Sequence, residues 1–304
     1  MTQQDMSARA WAELFLLGLI WGGVFLATRV ALDEISVLHA VAHRVGWAAV
    51  ILWVYVLVRR LPLPTDARTW AAFAVMGALN NLVPFSLLNW SQLYIESGLT
   101  SIFNATTAVF GVLTAAIFFS DERLTARKAL GVGLGFSGVT ITIGIGSLTS
   151  FDPRSLAQLA AIAATLSYAL AGVWARKRLA HLPPQVAAMG MLTASAALIL
   201  PAAWIIEGPI PVLLSAATWA GIGYMSVIAT AGAYLLYYRI LAMAGSGNLM
   251  LVTLLIPPVA IALGTWLRGE SLSPNAYLGL GLLALGLIVL DGRIFKRLGP
   301  RTTA

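Results

Sequence analysis

Cysteine is absent from the sequence, and charged residues are scarce. Without cysteine, disulfide bonds and thiolate metal sites are impossible. Asp, Glu, Lys and Arg together make up 10% of the 304 residues, against about 25% in a typical soluble domain. Hydrophobic residues account for 59%. A chain of this composition has too little polar surface to remain in water, so the composition predicts an integral membrane protein.

The sequence also lacks the patterns typical of ATPases and metalloenzymes. It contains no Walker A motif, no HExxH motif and no paired carboxylates inside a hydrophobic run. The stretch GLGLLA (279–284) has the spacing of a dinucleotide-binding loop, but it lies in an apolar run and follows no strand, so we interpret it as a false positive. We therefore expect a protein that is not an enzyme and that has no cofactor and no metal.

Long hydrophobic runs fill most of the chain. A membrane-spanning helix needs about 20 apolar residues, and the connections between the runs are short and rich in turn residues. The sequence therefore predicts an all-α integral membrane protein with ten transmembrane helices. The predicted spans are 11–31, 37–58, 69–91, 98–119, 126–147, 156–175, 184–206, 214–238, 245–267 and 274–290.

Lys and Arg are distributed unevenly between the two sides of these spans. If the N-terminus is cytoplasmic, nearly all of the 19 Lys and Arg residues lie on the cytoplasmic side. The exceptions are Arg29, Arg154 and Arg268 on the outer side and Arg44 within a span. This asymmetry predicts that both termini are cytoplasmic. It also explains the net charge of +7 without nucleic-acid binding, which we do not expect.

The second half of the chain resembles the first. Residues 121–139 align with 269–287, and residues 19–29 align with 166–176, which places Tyr168 close to the position of Trp21. The repeat unit contains five helices, and because five is odd the two halves cross the membrane in opposite directions. Inverted repeats are typical of secondary transporters. The predicted domains are a first five-helix repeat, 1–149, and an inverted second repeat, 150–304, which ends in a short basic cytoplasmic tail.

Ten spans, a five-helix duplication and two local motifs resemble the EamA-type drug/metabolite transporter superfamily. The motifs are WGGxFxxTR at 21–29 and an ExL pattern ahead of a glycine-rich helix, which occurs at 122–124 and again at 270–272. Within the superfamily, the chain most resembles bacterial exporters of aromatic and other amino acids. The resemblance covers essentially the whole chain. It implies a bacterial inner-membrane carrier that moves small metabolites outward through a central cavity by alternating access.

The proline pattern of the two halves differs. The second half contains LLIPPVA (254–260), in which Pro257 and Pro258 match a kink or gate that the resemblance implies, whereas the corresponding first-half stretch is TAVFGVL (107–113). Because proline disrupts the helical hydrogen-bond pattern, we expect the fourth helix to bend less than the ninth.

Charged groups at membrane depth are costly and usually functional. His43 and Arg44 both fall within the second predicted span. The imidazole of His43 is suited to binding a substrate carboxylate or carrying a proton, and the guanidinium of Arg44 is suited to binding a carboxylate in a bidentate manner. The alternative for both is a hydrogen bond to a neighbouring helix. Glu13, near the cytoplasmic edge of the first span, is expected to be interfacial.

Most of the other polar side chains within the predicted spans are uncharged. Buried polar groups need partners, which they find either in one another or in the amino and carboxyl groups of a ligand. As a set they predict a polar-lined cavity of no net charge, although helix-to-helix hydrogen bonding is the alternative for each. The candidates for substrate binding are Asn80, Asn81, Asn104, Tyr234 and Tyr237.

Trp21 lies near the middle of the first span, about 16 Å along a helix that rises 1.5 Å per residue. Tryptophan in membranes prefers the interfaces, so this residue is expected to face protein or a cavity. Gly22 and Gly23 allow a neighbouring helix or ligand to approach closely. Trp21 and Tyr168 would form a stacking pocket for an aromatic or apolar side chain; core packing is the alternative.

These patterns predict a secondary carrier that exports aromatic and other neutral amino acids. A multidrug exporter of cations is the alternative, but it would require a mid-helix carboxylate. An intramembrane enzyme or lipid-handling scaffold is a further alternative. Facilitated export is favoured over proton antiport, which would have to use His43, Glu13 or the substrate itself. The expected partners are an amino-acid substrate and membrane lipid. A monomer suffices because one chain holds both repeats, and a dimer is also compatible.

Overall fold

The computed structural model describes residues 7–120, 122–143, 153–249 and 252–291, and within these ranges the chain is helical without strands. Two segments, π1 and π2, have the wider π-helical pattern. The helices are α1 (Ala8–Leu32), α2 (Val37–Val58), α3 (Ala67–Gly77), π1 (Ala78–Leu82), α4 (Val83–Ser91), α5 (Ser97–Asn104), α6 (Thr107–Phe118), α7 (Ala126–Ile143), α8 (Pro153–Arg178), α9 (Pro184–Glu207), α10 (Ala216–Gly223), π2 (Tyr224–Gly232), α11 (Ala233–Leu249), α12 (Val252–Arg268) and α13 (Pro274–Asp291).

Most predicted spans correspond to helices of membrane-crossing length. In the part of the chain that the structure describes, eight helical segments are long and apolar enough to cross a bilayer, and α12 is a shorter apolar helix. The protein is therefore a multi-pass, all-α membrane protein. The eight segments are 8–32, 37–58, 67–91, 97–118, 154–178, 184–207, 216–237 and 274–291.

One predicted boundary is wrong. The eighth and ninth spans were expected to meet between 238 and 245, but α11 continues to Leu249 and α12 begins at Val252. Gly245 and Gly247 do not end the helix, because a helical glycine costs only about 1 kcal/mol relative to alanine. The burial of Ile240 and Leu249 against α1 favours continuation.

Polar contacts hold the helix ends together at the end of the bundle that contains Glu34. Arg268 of α12 pairs with Asp33 at 2.7 Å. Glu34 accepts hydrogen bonds from the hydroxyls of Ser215 and Thr218 at the start of α10. These bonds lower the pKa of the Glu34 carboxyl below its ordinary value. The C-terminal end of α1 is thereby attached to both α10 and α12.

At the opposite end, which contains Arg9, Glu13 is buried rather than interfacial. Its exposed fraction is 9%, and its carboxylate pairs with Arg9, one turn earlier on α1, and with Arg239 of α11. The expectation of an interfacial glutamate is therefore wrong. The two guanidinium groups compensate for the free energy cost of burying the carboxylate. An unpaired buried carboxylate would destabilise the fold.

The glycine-rich helices α7 and α13 pack in close contact. A Cβ atom added at Gly138 would lie 2.6 Å from the carbonyl oxygen of Gly279, and one added at Gly131 would lie 2.8 Å from that of Gly286. Only glycine permits backbones to approach this closely.

The irregular positions in the helices differ from those that the prolines suggested. α12 continues through Pro257, which is buried, and Pro258, which is exposed. The corresponding first-half segment is interrupted between α5 and α6, where the backbone N–H and the hydroxyl of Thr106 both donate to the carbonyl of Phe103. The turn at Thr106 arises because threonine hydroxyls compete for backbone carbonyls there. That the fourth helix bends less than the ninth stays a prediction.

Candidate functional site

Arg44 is a buried cation without an acidic partner among the residues that the structure describes. Its side chain lies in the second turn of α2 and is 9% exposed. The Nε group donates to the hydroxyl of Thr230 at 3.0 Å, and the guanidinium carbon lies 3.7 Å from the ring centroid of Phe85. No carboxylate among the described residues lies within 4.0 Å of it. The ring of Phe85 thus supports the plane of the guanidinium, and Thr230 binds the edge that carries Nε.

The two terminal nitrogens of Arg44 are not used by these contacts. Neither nitrogen has a hydrogen-bond partner in the described part of the chain. Neither is completely shielded from the surroundings of the protein. Their parallel N–H groups match the two oxygens of a carboxylate. Arg44 is therefore positioned to bind an anion end-on.

Two tyrosines interact electrostatically with the guanidinium, and an asparagine pair binds one of them. The hydroxyls of Tyr168 and Tyr234 lie within electrostatic range of Arg44. Tyr234 accepts a hydrogen bond from the amide of Asn80 at 3.0 Å and donates to Asn81 at 3.4 Å. We refer to Arg44, Phe85, Asn80, Tyr168, Thr230 and Tyr234 as the Arg44 cluster.

The π1 segment explains how Asn80 and Asn81 come to face the cluster. Pro84 has no N–H group, so it cannot donate to the carbonyl of Leu79, and the N–H of Val83 bonds five residues back to Ala78. The hydroxyl of Ser167 on α8 donates to Leu79 instead, at 2.7 Å. Such π-helical turns occur frequently at functional sites.

The π2 segment holds the opposite side of the cluster. The hydroxyl of Thr230 donates to the carbonyl of Met225, five residues earlier, at 2.7 Å, and its oxygen accepts from Arg44. Asn81 is anchored in turn by the hydroxyl of Ser195 on α9, at 2.9 Å. Thr230 of π2 and Phe85 of α4 thus contact the buried cation directly.

Trp21 contributes an aromatic surface beside this cluster. Its indole N–H donates to the carbonyl of Ala229 at 3.2 Å, and its ring centroid lies 5.9 Å from that of Tyr237. We refer to Trp21 and Tyr237 as the aromatic pair. Both rings are half-buried. Tyr168, which the sequence comparison suggested as the second ring of a stacking pocket, interacts electrostatically with Arg44; the pocket formed by Trp21 and Tyr168 stays a prediction.

Gly22 and Gly23 serve close packing around Trp21. A Cβ atom at Gly22 would lie 2.5 Å from that of Val259 on α12. A Cβ atom at Gly23 would collide with the hydroxyl of Tyr224, which donates to the carbonyl of Ile20 at 2.9 Å. The glycines therefore bring α1 against both α12 and π2.

His43 and Asn104 are not linked to the Arg44 cluster by the contacts of the structure. The imidazole Nε2 of His43 donates to the carbonyl of Pro211 at 2.9 Å, and its ring lies edge-on to Trp219. Asn104 is half-buried at the end of α5, where its backbone carbonyl accepts from Thr107. Substrate contact by either residue stays a prediction.

Sequence reasoning missed Phe85 and Ser195. A single phenylalanine in an apolar run resembles any core residue, and the serine gave no local signal. The contacts that give these residues their roles are not local: Phe85 contacts Arg44 of another helix, and Ser195 lies 114 residues from its partner Asn81. A buried arginine in need of a supporting ring was the one available clue.

Comparison with known proteins identifies the fold and the family. The EamA-like transporter family matches the chain twice, over residues 10–144 and 155–290. A solved crystal structure superimposes with a TM-score of 0.67 at 18% identity and covers 97% of this chain and 100% of its own. The two family matches fall in the two halves that resemble each other in sequence.

Curated relatives cover nearly the full length. The chain is 27% identical to a probable terminal-alkyne amino-acid exporter of Streptantibioticus cattleyicolor, with 96% of each chain covered. It is 22% identical to the uncharacterized transporter YoaV of Bacillus subtilis (89% and 92% covered) and 24% identical to the uncharacterized inner membrane transporter YedA of Escherichia coli (92% and 90%). The chain therefore belongs to the EamA-like transporter family and is a multi-pass membrane transporter.

Proposed function

We propose that this transporter is a secondary carrier that exports aromatic and other neutral amino acids. The observation that carries the proposal is Arg44, a buried cation with two unused terminal nitrogens and no acidic partner among the described residues. An intramembrane charge of this kind usually marks a substrate site. One relative is named as an amino-acid exporter, which supports the same substrate class.

The bound substrate would contact two regions. Its carboxylate would accept hydrogen bonds from the terminal nitrogens of Arg44, and its side chain would lie against the aromatic pair. Offset or edge contacts between aromatic rings contribute about 0.5–1.5 kcal/mol beyond area burial, which favours phenylalanine and tryptophan over aliphatic residues. Asn80 and the two tyrosine hydroxyls supply neutral hydrogen-bonding groups.

The proposed pathway lies between two inverted five-helix repeats, 1–149 and 150–304. Ten transmembrane helices result if α7 and α12 cross the membrane with the eight longer segments. Both halves contribute to the Arg44 cluster: Phe85 comes from the first repeat, and Thr230 and Tyr234 come from the second. Sites at a repeat interface suit alternating access. The distribution of Lys and Arg supports cytoplasmic termini in a bacterial inner membrane.

Facilitated export down a concentration gradient requires no protonatable group in the pathway. His43 donates to a backbone carbonyl, and Glu13 is neutralised by two arginines. These contacts favour facilitation over proton antiport.

The test is counterflow in proteoliposomes preloaded with unlabelled amino acids. Labelled tryptophan, phenylalanine, threonine, methionine and lysine are supplied outside, with and without a pH gradient. We expect tryptophan and phenylalanine to accumulate more than lysine, without an effect of the gradient. Arg44→Gln should abolish uptake, whereas Arg59→Gln, which changes an exposed arginine at the end of α2, should not. If no amino acid accumulates, the proposal is wrong.

A further inference from the structure

The charge of the site is positive rather than balanced. Of the 12 Asp and Glu residues, only Glu13 falls within a predicted span, and its carboxylate is paired with Arg9 and Arg239. An amino acid carries one positive and one negative group, whereas the described site offers a partner only for the negative one. A buried ammonium without a charged partner costs several kcal/mol unless neutral acceptors solvate it.

The neutral groups of the Arg44 cluster offer an ammonium group no charged partner. The hydroxyl of Tyr234 accepts from Asn80 and donates to Asn81, and the hydroxyl of Thr230 donates to Met225. The amide oxygen of Asn80 and the hydroxyl of Tyr168 have no hydrogen-bond partner in the described part of the chain, but both are neutral. The charged groups that remain unused are the terminal nitrogens of Arg44.

From this charge balance we infer a further substrate class: the protein transports aromatic monocarboxylates that lack the α-ammonium group. Such a molecule presents one carboxylate, which pairs with Arg44, and one ring, which lies against the aromatic pair. Trp21 and Arg44 bond to the consecutive residues Ala229 and Thr230, so the ring and carboxylate subsites are adjacent. The inference deepens the proposed function and uses the same site.

Transport of this class moves charge. A monocarboxylate carries one negative charge across the membrane, and no described acid is available to neutralise Arg44 or to return a proton. A potential of about 100 mV then biases the distribution of the solute about fifty-fold. In a cell with a negative interior, the potential alone would drive the anion outward. A zwitterionic amino acid would feel no such bias.

The experiment uses the full chain in proteoliposomes and three molecules that share one ring and chain length. These are 3-phenylpropionate, L-phenylalanine and 2-phenylethylamine, which differ only in the carboxylate and ammonium groups. Currents are recorded on a solid-supported membrane, with protein-free liposomes as the background. Passive entry of the neutral acid carries no current, so a current reports transported anion.

We expect 3-phenylpropionate to give a saturable current, 2-phenylethylamine to give none, and L-phenylalanine to move in counterflow without current. An inside-positive potential should raise 3-phenylpropionate accumulation towards the fifty-fold limit. Arg44→Lys keeps the charge but loses the paired donors, so its apparent affinity for 3-phenylpropionate should fall by about tenfold or more. Arg59→Lys is the matched control.

The outcomes separate the two proposals. Counterflow of L-phenylalanine without a 3-phenylpropionate current would overturn the inference and leave the proposed function standing. A 3-phenylpropionate current without L-phenylalanine counterflow would support the inference and contradict amino-acid export. A current that is unchanged in Arg44→Lys, with the variant purified as a monodisperse protein, would overturn the assignment of the carboxylate to Arg44.

Discussion

Trp21 and Arg44 bond to consecutive residues of one π-helical segment. The indole N–H of Trp21 donates to the carbonyl of Ala229, and Nε of Arg44 donates to the hydroxyl of Thr230. A single element therefore fixes the spacing between an aromatic surface and a buried cation. A change in the backbone of π2 would therefore move both groups together.

Replacing Trp21 should reveal the two roles of the indole. Trp21→Phe keeps a ring near Tyr237 but loses the hydrogen bond to Ala229, so we expect a modest rise in the KM for tryptophan. Trp21→Ala loses both, and the cost of about 0.5–1.5 kcal/mol for the aromatic contact predicts a several-fold larger KM. Labelled tryptophan counterflow measures both. Trp11→Ala, which removes an exposed indole from the same helix, is the control; an equal loss there would contradict the prediction.

Gly22 should tolerate no side chain. In Gly22→Ala the new Cβ meets Val259 and the backbone carbonyl of Ile256, so we expect destabilisation of about 1–3 kcal/mol. The midpoint of thermal unfolding in detergent should fall by several degrees. Gly46→Ala provides a matched comparison, because no atom lies within 4 Å of its Cβ position, and the better helix propensity of alanine should leave stability unchanged or raised. Equal effects of the two variants would refute the packing role.

Ser167 should matter through the backbone of π1. Ser167→Ala removes the only side-chain donor described for the Leu79 carbonyl, which Pro84 cannot replace. An unsatisfied buried carbonyl costs about 1–3 kcal/mol, so thermal stability should fall and Asn80 should lose its fixed position. Ser167→Thr retains the hydroxyl and should behave like the natural protein. The midpoint of unfolding and the KM are the measurements; a shift in neither would show that π1 does not depend on this bond.

The contact of Glu34 with α10 should weaken in acid. The hydrogen bonds from Thr218 and Ser215 lower the pKa of Glu34 below 4.5 in the folded protein. A lowered folded-state pKa means that the stabilisation is complete above 4.5 and is lost as the pH falls through the folded-state value. The difference in unfolding midpoint between the natural protein and Glu34→Gln should therefore shrink below this pH. A difference that is constant from neutral to strongly acidic pH would contradict this linkage.

Exchange of the charges of Glu13 and Arg239 should test this partly exposed ion pair. Glu13→Gln removes the carboxylate, but the side chains of Arg9 and Arg239 are 71% and 56% exposed and stay solvated, so we expect a loss of thermal stability of at most about 1 kcal/mol. The double variant Glu13→Arg, Arg239→Glu restores one opposite-charge contact and should recover part of the loss. No recovery in the double variant would indicate that Arg9 is the dominant partner, and Arg9→Gln would then reproduce the loss.

Helix positions were largely predictable because membrane thickness fixes their length. The second span was predicted as 37–58 and observed as Val37–Val58. Its bounds were predictable because the hydrophobic run has the length of one span and polar residues flank it on both sides. The end of α11 was not predictable, because tertiary packing against α1 overrides two glycines. His43 and Arg44 are adjacent in sequence and equally polar, yet they point to different partners.

The partners of Arg44 could not be inferred from local patterns. Thr230 lies 186 residues away in the chain, and helical periodicity says nothing about which helices become neighbours. The π-helical turns were also missed, although Pro84 was a visible cause of one of them. Glu13 was misjudged for a similar reason: its burial depends on Arg239, which another helix supplies.

The glycine contacts between α7 and α13 restrict how the molecule can deform. Where the two backbones are in contact, no side chains lie between them that could adopt new rotamers, so sliding of one helix along the other would make carbonyl oxygens collide. The two helices are therefore expected to move together as one rigid body. Any rearrangement that admits or releases a solute is thereby left to interfaces lined with adjustable side chains, such as the one between α1 and α11.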